Sequence, residues 1–124
     1  MATKKGILLI EDDEFLAELY ATKLNLEGFE VALANTGEKG LKMIKDKKPD
    51  LVLLDIILPK MDGFEILKNV KADPGLKNIP IILLTNLSQK DEVKKGLELG
   101  AVDYLIKAHF MPSEVVKKIK NVIG

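Results

Sequence analysis

The chain has 124 residues, the size of a single domain, and 47% of them are hydrophobic, enough for a sizeable core. Its 19 basic and 19 acidic residues give a formal net charge of zero, which argues against a general nucleic-acid or membrane-surface binder. The chain has no cysteine, which excludes disulfides and zinc–thiolate sites. No apolar run is long enough for a signal peptide or a membrane span, so we expect a soluble cytoplasmic protein.

Five short apolar segments have the length and composition of β-strands. In chain order they are 6–10, 29–34, 51–54, 81–84 and 102–107. The first, third and fourth are continuous apolar runs, which are typical of strands buried on both faces of a parallel sheet. The second alternates, with Phe29, Val31 and Leu33 on one side, and the fifth is mixed. We therefore predict that the second and fifth strands lie at the two edges.

Helical periods fill the intervals between the predicted strands. Their apolar positions, in chain order, are Phe15, Leu16, Leu19, Tyr20 and Leu24; Leu41 and Ile44; Phe64, Leu67 and Val70; Val93 and Leu97; and Val115, Val116, Ile119, Val122 and Ile123. The fourth helix has the thinnest apolar stripe, and the fifth, which starts near Pro112, has the clearest. Five β–α repeats predict a three-layer α/β fold with right-handed crossovers around a five-stranded parallel sheet.

The predicted edge strands fit the strand order 2-1-3-4-5, the doubly wound, flavodoxin-like arrangement. In that order, ligands bind at the carboxyl ends of strands 1 and 3, where the order reverses. Strand 1 runs into Glu11 and Asp12, and strand 3 runs into Asp55. Three carboxylates are therefore predicted to converge in the crevice where this architecture places its site.

Two further polar residues end strands at the same edge: Thr85 follows strand 4 and Lys107 follows strand 5. Crowded carboxylates repel one another, and a divalent cation relieves that repulsion. Mg²⁺ prefers oxygen ligands and often lies between carboxylates and a phosphate. An aspartate beside such an ion can attack phosphorus, while a lysine and a threonine stabilise the transferring group. The pattern favours phosphoryl chemistry.

These residues resemble a known family over the whole chain: the receiver domains of response regulators, the CheY-like group. The most specific element is LVLLDIILPKMDGFEIL, in which an apolar strand leads to Asp55 and then to the PKMDG motif at 59–63. The acidic pair after strand 1, Thr85 thirty residues past Asp55, and Lys107 twenty-two past Thr85 match as well. Residues 1–124 are accordingly predicted to be one receiver domain of the stand-alone type.

The resemblance implies an acceptor and a metal site. Asp55 would accept a phosphoryl group from a histidine kinase or a histidine phosphotransfer protein. Mg²⁺, with Mn²⁺ as a substitute, would be bound by Asp12, Asp55 and the backbone carbonyl of Ile57, and Glu11 would act mainly through water. The domain would not be an enzyme on a separate substrate, although it would catalyse its own phosphoryl transfer and dephosphorylation.

The resemblance also implies a switch. Thr85 and Lys107 would bind the phosphoryl oxygens, and Tyr104 would turn inward when Thr85 is drawn toward the phosphate. The face made by helix 4, strand 5 and helix 5 would then change its preference for an unknown downstream protein. Direct contact with nucleic acid or a membrane is not expected.

Several positions depart from the family pattern or modulate it. The proline that commonly follows the lysine is replaced by Ala108, which puts a cis peptide after Lys107 in doubt. Asn86 replaces a small residue after Thr85 and could either narrow access to the site or hydrogen-bond the phosphoryl group. Ile57 and Leu87 are apolar and cannot orient an attacking water, so we predict slow self-dephosphorylation.

Some of these residues have simpler structural interpretations, and the pattern as a whole has alternative functional ones. One of Asp13 and Glu14 is predicted to cap the first helix, and Asp62 to serve the turn before the third. His109 is expected in an exposed loop. The same fold could act as a phosphorylation-independent interaction module. A metal-dependent phosphatase with an aspartate nucleophile is disfavoured because Ile57 occupies the position where such enzymes often carry a second acid. A nucleotide-binding protein is disfavoured because the loop after strand 1 is acidic and would repel phosphate.

Overall fold

The computed structural model describes residues 4–85, 90–107 and 112–123. In this part of the chain, five strands alternate with five helices. The strands are β1 (Gly6–Ile10), β2 (Glu30–Ala34), β3 (Leu51–Asp55), β4 (Ile81–Thr85) and β5 (Asp103–Ile106). The helices are α1 (Glu14–Leu26), α2 (Gly37–Lys47), α3 (Gly63–Ala72), α4 (Lys90–Glu98) and α5 (Pro112–Ile123). The predicted element order is confirmed.

The strands form one parallel sheet in the order β2-β1-β3-β4-β5, which confirms the predicted order and both edges. Every residue of β3 and β4 is buried, as their continuous apolar runs predict. The register pairs Ile10 with Leu54 and Asp55 with Leu84. The carboxyl ends of β1, β3 and β4 therefore lie side by side at one edge of the sheet.

Side chains of successive strand residues point to opposite faces, and each face has its own core. In β3, Leu54 packs into a cluster that includes Ile44 of α2 and Leu67 of α3. Its neighbour Leu53 belongs to a second cluster with residues of α1 and α5, including Ile119. These two cores on either side of the sheet give the predicted three layers.

The predicted buried face of α1 is wrong in part. Phe15 is 78% exposed and Leu19 is 45% exposed, whereas Ala17, Tyr20 and Leu24 are buried. The buried residues are spaced i, i+3 and i+7, which places them along one side of a helix, and Phe15 and Leu19 project from the other side. Because α1 carries apolar residues on both sides, its sequence pattern does not identify the side that faces the sheet.

Two other apolar positions are more exposed than predicted. Leu33 of β2 is 42% exposed because it lines an open cleft beside α1, next to Glu14 and Glu18. Leu97 of α4 is 39% exposed, and the buried residue of that helix is Gly96. A side chain at Gly96 would clash with Leu83 of β4, so the α4 backbone lies close to β4 at this glycine. Large buried side chains contribute little to the packing of α4.

The predicted capping roles are confirmed. The Oδ1 atom of Asp13 accepts a hydrogen bond from the Leu16 N–H at the start of α1, and Glu14 is an acid in the first turn. At α3, the Oδ1 atom of Asp62 accepts a hydrogen bond from the Glu65 N–H. Both aspartates satisfy helix N–H groups that lack a backbone partner. Among the described helices, none combines the length and apolar character needed to cross a membrane.

Candidate functional site

The structure brings Glu11, Asp12 and Asp55 together at the carboxyl edge of the sheet. One carboxylate oxygen from each lies within 4.8 Å of the corresponding oxygens of the others. Glu11 and Asp55 are only 2% and 4% exposed, while Asp12 faces solvent. The pairing of Ile10 with Leu54 causes this arrangement, because it aligns the residues that follow β1 with the last residue of β3.

Lys107 connects the two buried carboxylates. Its Nζ atom lies 2.7 Å from Glu11 Oε2 and 2.7 Å from Asp55 Oδ2. The Lys107 side chain is 16% exposed, so these ion pairs are largely shielded from water. Removing such charges from water is unfavourable unless they are paired, and one ammonium here pairs with two carboxylates. The position that directly follows β5 is thus held at the centre of the site.

The arrangement shifts the pKa values of two groups. Burial raises the pKa of Glu11 from 4.5 to about 7; the hydrogen bond from Lys107 opposes this rise and the charge of Asp55 adds to it. Burial by itself would lower the pKa of Lys107. Its hydrogen bonds to Asp55 and Glu11 outweigh burial and raise that pKa above its usual value. Lys107 therefore stays protonated, whereas the Glu11 carboxyl is poised to gain or lose a proton near neutrality.

Both oxygens of Asp55 have defined partners. Oδ2 accepts a hydrogen bond from Lys107 Nζ at 2.7 Å, and Oδ1 accepts one from the Ile57 N–H at 3.1 Å. The Ile57 side chain itself is 59% exposed. The Asp55 carboxylate is consequently fixed in position, and the residue two positions later presents an apolar side chain to solvent beside it.

Gly63, the last residue of the PKMDG motif, is a site residue to which the sequence pattern assigned no role at the site. Its N–H donates to the Ile56 carbonyl at 2.9 Å. A Cβ at this position would lie 2.6 Å from the Asp55 carbonyl oxygen and 2.9 Å from the Ile56 Cα, closer than real contacts allow. Glycine therefore lets α3 start directly against the end of β3, and the Asp-Gly dipeptide was the available signal.

Tyr20 is a second residue whose relation to the site the sequence did not indicate. Its side chain is 1% exposed in the core between α1 and the sheet. Burial raises the pKa of its phenol well above the usual value, and the charges of Glu11, Asp55 and Asp13 add to the effect. The phenol of Tyr20 thus stays neutral in the field of the carboxylates.

Thr85 and Tyr104 lie on the same face of the sheet. Thr85 is 1% exposed at the end of β4. It pairs with Ile106 of β5, and Leu83 pairs with Tyr104, so Thr85 and Tyr104 are diagonal neighbours on adjacent strands. The half-buried Tyr104 ring packs against the core on the α2 and α3 side. The remaining predicted positions, Asn86, Leu87, Ala108 and His109, and with them the peptide bond after Lys107, lie outside the described residues.

The donor set of this site fits a small divalent cation. Its three clustered side chains offer only carboxylate oxygens, the ligand type that Mg²⁺ and Mn²⁺ prefer. Two of these carboxylates are buried, so a cation there would be shielded less by water than at an ordinary acidic surface. Burial, with the charge of Asp55 adding to it, raises the pKa of Glu11 even with Lys107 beside it, so a further cation at this cluster would favour the ionised carboxylate.

The chain belongs to the response regulator receiver domain family, because residues 7–120 match the model of that family. Solved structures agree. A putative response regulator from Chloroflexus aurantiacus is 36% identical, with a TM-score of 0.90 over 96% of this chain and 97% of that one. The chemotaxis protein CheY4 of Vibrio cholerae is 27% identical, with a TM-score of 0.89 over 97% of this chain and 99% of that one. Receiver domains are signalling domains of two-component systems and interact with histidine kinases.

Curated relatives are longer than this chain. The DNA-binding response regulator MtrA of Mycobacterium tuberculosis is 38% identical over 94% of this chain and 50% of its own length. A probable transcriptional regulator, ycf27 of Guillardia theta, is 35% identical over 99% of this chain and 47% of its own length. The chain thus spans about half the length of these relatives. The likeness covers a receiver domain, and the DNA binding in the name of MtrA is a property of that whole protein.

Proposed function

We propose that this chain is the phosphoacceptor domain of a two-component phosphorelay, and that residues 1–124 act as one receiver domain. Asp55 accepts a phosphoryl group from a histidine kinase or a histidine phosphotransfer protein. The observation that carries the proposal is the buried Asp55 carboxylate, fixed by Lys107 and the Ile57 N–H beside two further carboxylates. A balanced net charge favours a protein partner over direct contact with nucleic acid.

In the proposed reaction, a carboxylate oxygen of Asp55 forms a bond to phosphorus. With a phosphohistidine donor, the P–N bond breaks and the imidazole leaves with the electron pair. Lys107 can move its ammonium from the Asp55 oxygen to a phosphoryl oxygen without leaving the site, since it already lies 2.7 Å from Asp55. Thr85, buried at the end of the adjacent strand, supplies a hydroxyl to another phosphoryl oxygen.

The same residues that surround Asp55 would hold Mg²⁺, or Mn²⁺ as a substitute. Asp12, Asp55 and the backbone carbonyl of Ile57 are the proposed direct ligands, and Glu11 would act mainly through water. The bound ion would supply positive charge to the oxygens of the transferring group. Asp12 is the exposed member of the cluster, so it is accessible for binding an ion that arrives from solvent.

Phosphorylation is proposed to change the surface formed by α4, β5 and α5. Thr85 and Tyr104 are diagonal neighbours on one face, so a shift of Thr85 toward the phosphoryl group opens space into which the Tyr104 ring can turn. The buried residue of α4 is Gly96, so a shift of that helix would lose little buried apolar contact and would cost little free energy. This surface would then bind a downstream protein.

A phosphorylation assay tests the proposal. The protein would be incubated with Mg²⁺ and acetyl phosphate, and its intact mass recorded. Asp55→Asn removes the acceptor, and Asp62→Asn is the matched control because asparagine can still cap α3. We expect one added phosphoryl group on the wild type and on Asp62→Asn, and none on Asp55→Asn or in EDTA. Equal modification of Asp55→Asn would contradict the proposal.

A Mg²⁺ titration on the same proteins addresses the competing function. A wild type that binds neither Mg²⁺ nor a phosphoryl group would favour a phosphorylation-independent interaction module.

A further inference from the structure

Three neighbouring groups form a contact network at the outer edge of β5. Lys118 of α5 places its Nζ atom 3.0 Å from Asp103 Oδ1 and 5.4 Å from the centre of the Tyr104 ring. The same Asp103 Oδ1 accepts a hydrogen bond from the Tyr104 N–H at 2.7 Å. One carboxylate oxygen thus holds both the backbone of Tyr104 and the ammonium that faces its ring.

The topology shows that Lys118 reaches across the sheet edge to make this contact. Leu105 of β5 packs into the core formed with α1 and α5, whereas Tyr104 packs against the core on the other face. Since β5 is an edge strand, no further strand separates the two faces in the described residues. The long Lys118 side chain can therefore pass from the α5 layer around β5 to the opposite face, where Tyr104 lies.

We propose that Lys118 is a positioning residue for Tyr104. Together with Asp103 it holds the ring in the position seen here, and its contact is lost when the ring turns toward Thr85. This inference rests on the proposed function, since it names a contact that opposes the rotation of the Tyr104 ring proposed there. Lys118 would thereby set how readily the domain reaches its phosphorylated conformation.

The sign of the effect follows from the geometry. A cation–π attraction requires the ammonium to lie within about 6 Å of the ring centre, so it stabilises only the ring position that keeps this contact. A ligand that favours the other position must overcome that preference. Removing the ammonium should therefore make the transition easier, and it should leave the phosphoryl site itself unchanged because Lys118 does not contact it.

The experiment uses ¹⁹F NMR on the full chain labelled with 3-fluorotyrosine. The protein has two tyrosines and no tryptophan, so two resonances are expected, and Tyr104→Phe assigns them. Beryllium trifluoride with Mg²⁺ serves as the phosphoryl mimic and is titrated into each variant. Lys118→Met keeps the apolar stem and removes the charge. Lys120→Met is the matched control, because Lys120 lies in the same helix but pairs with Glu27.

We expect the Tyr104 resonance of Lys118→Met to lie closer to its ligand-bound position before any addition. Half-conversion should need about two- to five-fold less beryllium trifluoride than in the wild type, as expected for loss of a partly exposed cation–π contact. Asp103→Asn should shift the midpoint in the same direction.

Equal midpoints for Lys118→Met and the wild type, or an equal change in Lys120→Met, would overturn the inference while leaving the proposed function intact. If the mimic with Mg²⁺ does not move Tyr104 in the wild type, the switch itself fails and this inference fails with it.

Discussion

Lys107 Nζ lies 2.7 Å from Asp55 Oδ2, and the same ammonium lies 2.7 Å from Glu11 Oε2. The lysine that follows β5 is thus the cation that offsets the charge of two buried carboxylates at the carboxyl ends of β1 and β3. Lys107 offsets part of the free-energy cost of burying these carboxylates, and it keeps a positive charge where a transferring phosphoryl group would come. The same contact therefore affects both the stability of the fold and the charge available for phosphoryl transfer.

Replacing Lys107 by methionine should destabilise the protein in EDTA. The substitution leaves Glu11 and Asp55 buried without their cation, and breaking a buried ion pair from one side costs about 3 kcal/mol. Urea unfolding would measure the loss. Mg²⁺ should restore part of the stability if the cluster binds it. Lys120→Met, which breaks an exposed surface pair with Glu27, should destabilise the protein far less. Equal losses in the two variants would contradict the account.

The raised pKa of Glu11 predicts a pH dependence of stability in EDTA. A carboxyl whose pKa is higher in the folded state binds more protons when folded, so its contribution to the free energy of unfolding falls as pH rises from about 4.5 to about 7. Glu11→Gln removes this contribution. We expect the variant to gain about 1–3 kcal/mol relative to the wild type at pH 8, and much less at pH 5.

Urea unfolding at pH 5 and pH 8 provides the measurement for Glu11→Gln. Glu18→Gln, an exposed substitution in α1, serves as the control and should show no such difference between the two pH values. If Glu11→Gln gained stability equally at both pH values, the effect would come from packing or backbone contacts instead of the ionisation of Glu11.

Gly63→Ala should be destabilising by roughly 2 kcal/mol, since its Cβ would lie 2.6 Å from the Asp55 carbonyl oxygen and force the backbone apart. The displacement would also move the acceptor, so the phosphorylation rate with acetyl phosphate should fall. Gly75→Ala is a suitable control, because its Cβ would meet only the Asp73 side chain at 3.4 Å. A Gly63→Ala protein as stable and as reactive as Gly75→Ala would show that the close approach is unimportant.

The phosphorylated form should persist for minutes or longer, because the exposed Ile57 side chain beside Asp55 cannot orient a water for attack on phosphorus. Ile57→Asn introduces an amide at this position and should shorten the lifetime several-fold. Loss of the phosphoryl group would be followed by intact mass after removal of the donor. Leu26→Asn, a substitution of an exposed residue at the C-terminal end of α1, should leave the lifetime unchanged. Decay of the wild type within seconds would refute the prediction.

The sequence predicts the fold well because its signals are local and consistent. Continuous apolar runs identify buried strands such as β3 and β4, and the two predicted edge strands fit the observed strand order, which periodicity alone does not determine. The same reasoning fails for Phe15 and Leu19, since α1 has apolar residues on both sides and only packing selects the side around Tyr20. Helix rotation about its own axis is a tertiary property that periodicity alone could not supply here.

The candidate site could be predicted as a set of strand ends but not as a set of contacts. Glu11, Asp12 and Asp55 are found from the acidic residues that follow apolar strands, and the register brings them together. The bridging of Glu11 and Asp55 by Lys107 depends on side-chain geometry between strands far apart in sequence. No sequence pattern indicates such a bridge, and the same is true of the contact between Lys118 and Tyr104.

The central claim is that Asp55 carries the phosphoryl group, and the most direct measurement locates that group on the chain. Protein freshly phosphorylated with acetyl phosphate and Mg²⁺ would be reduced with borohydride, which converts an aspartyl phosphate to homoserine, and then mapped by peptide mass spectrometry. The account predicts homoserine at position 55 alone, dependent on both donor and Mg²⁺. Homoserine at position 12 or 62, with position 55 unmodified, would contradict it.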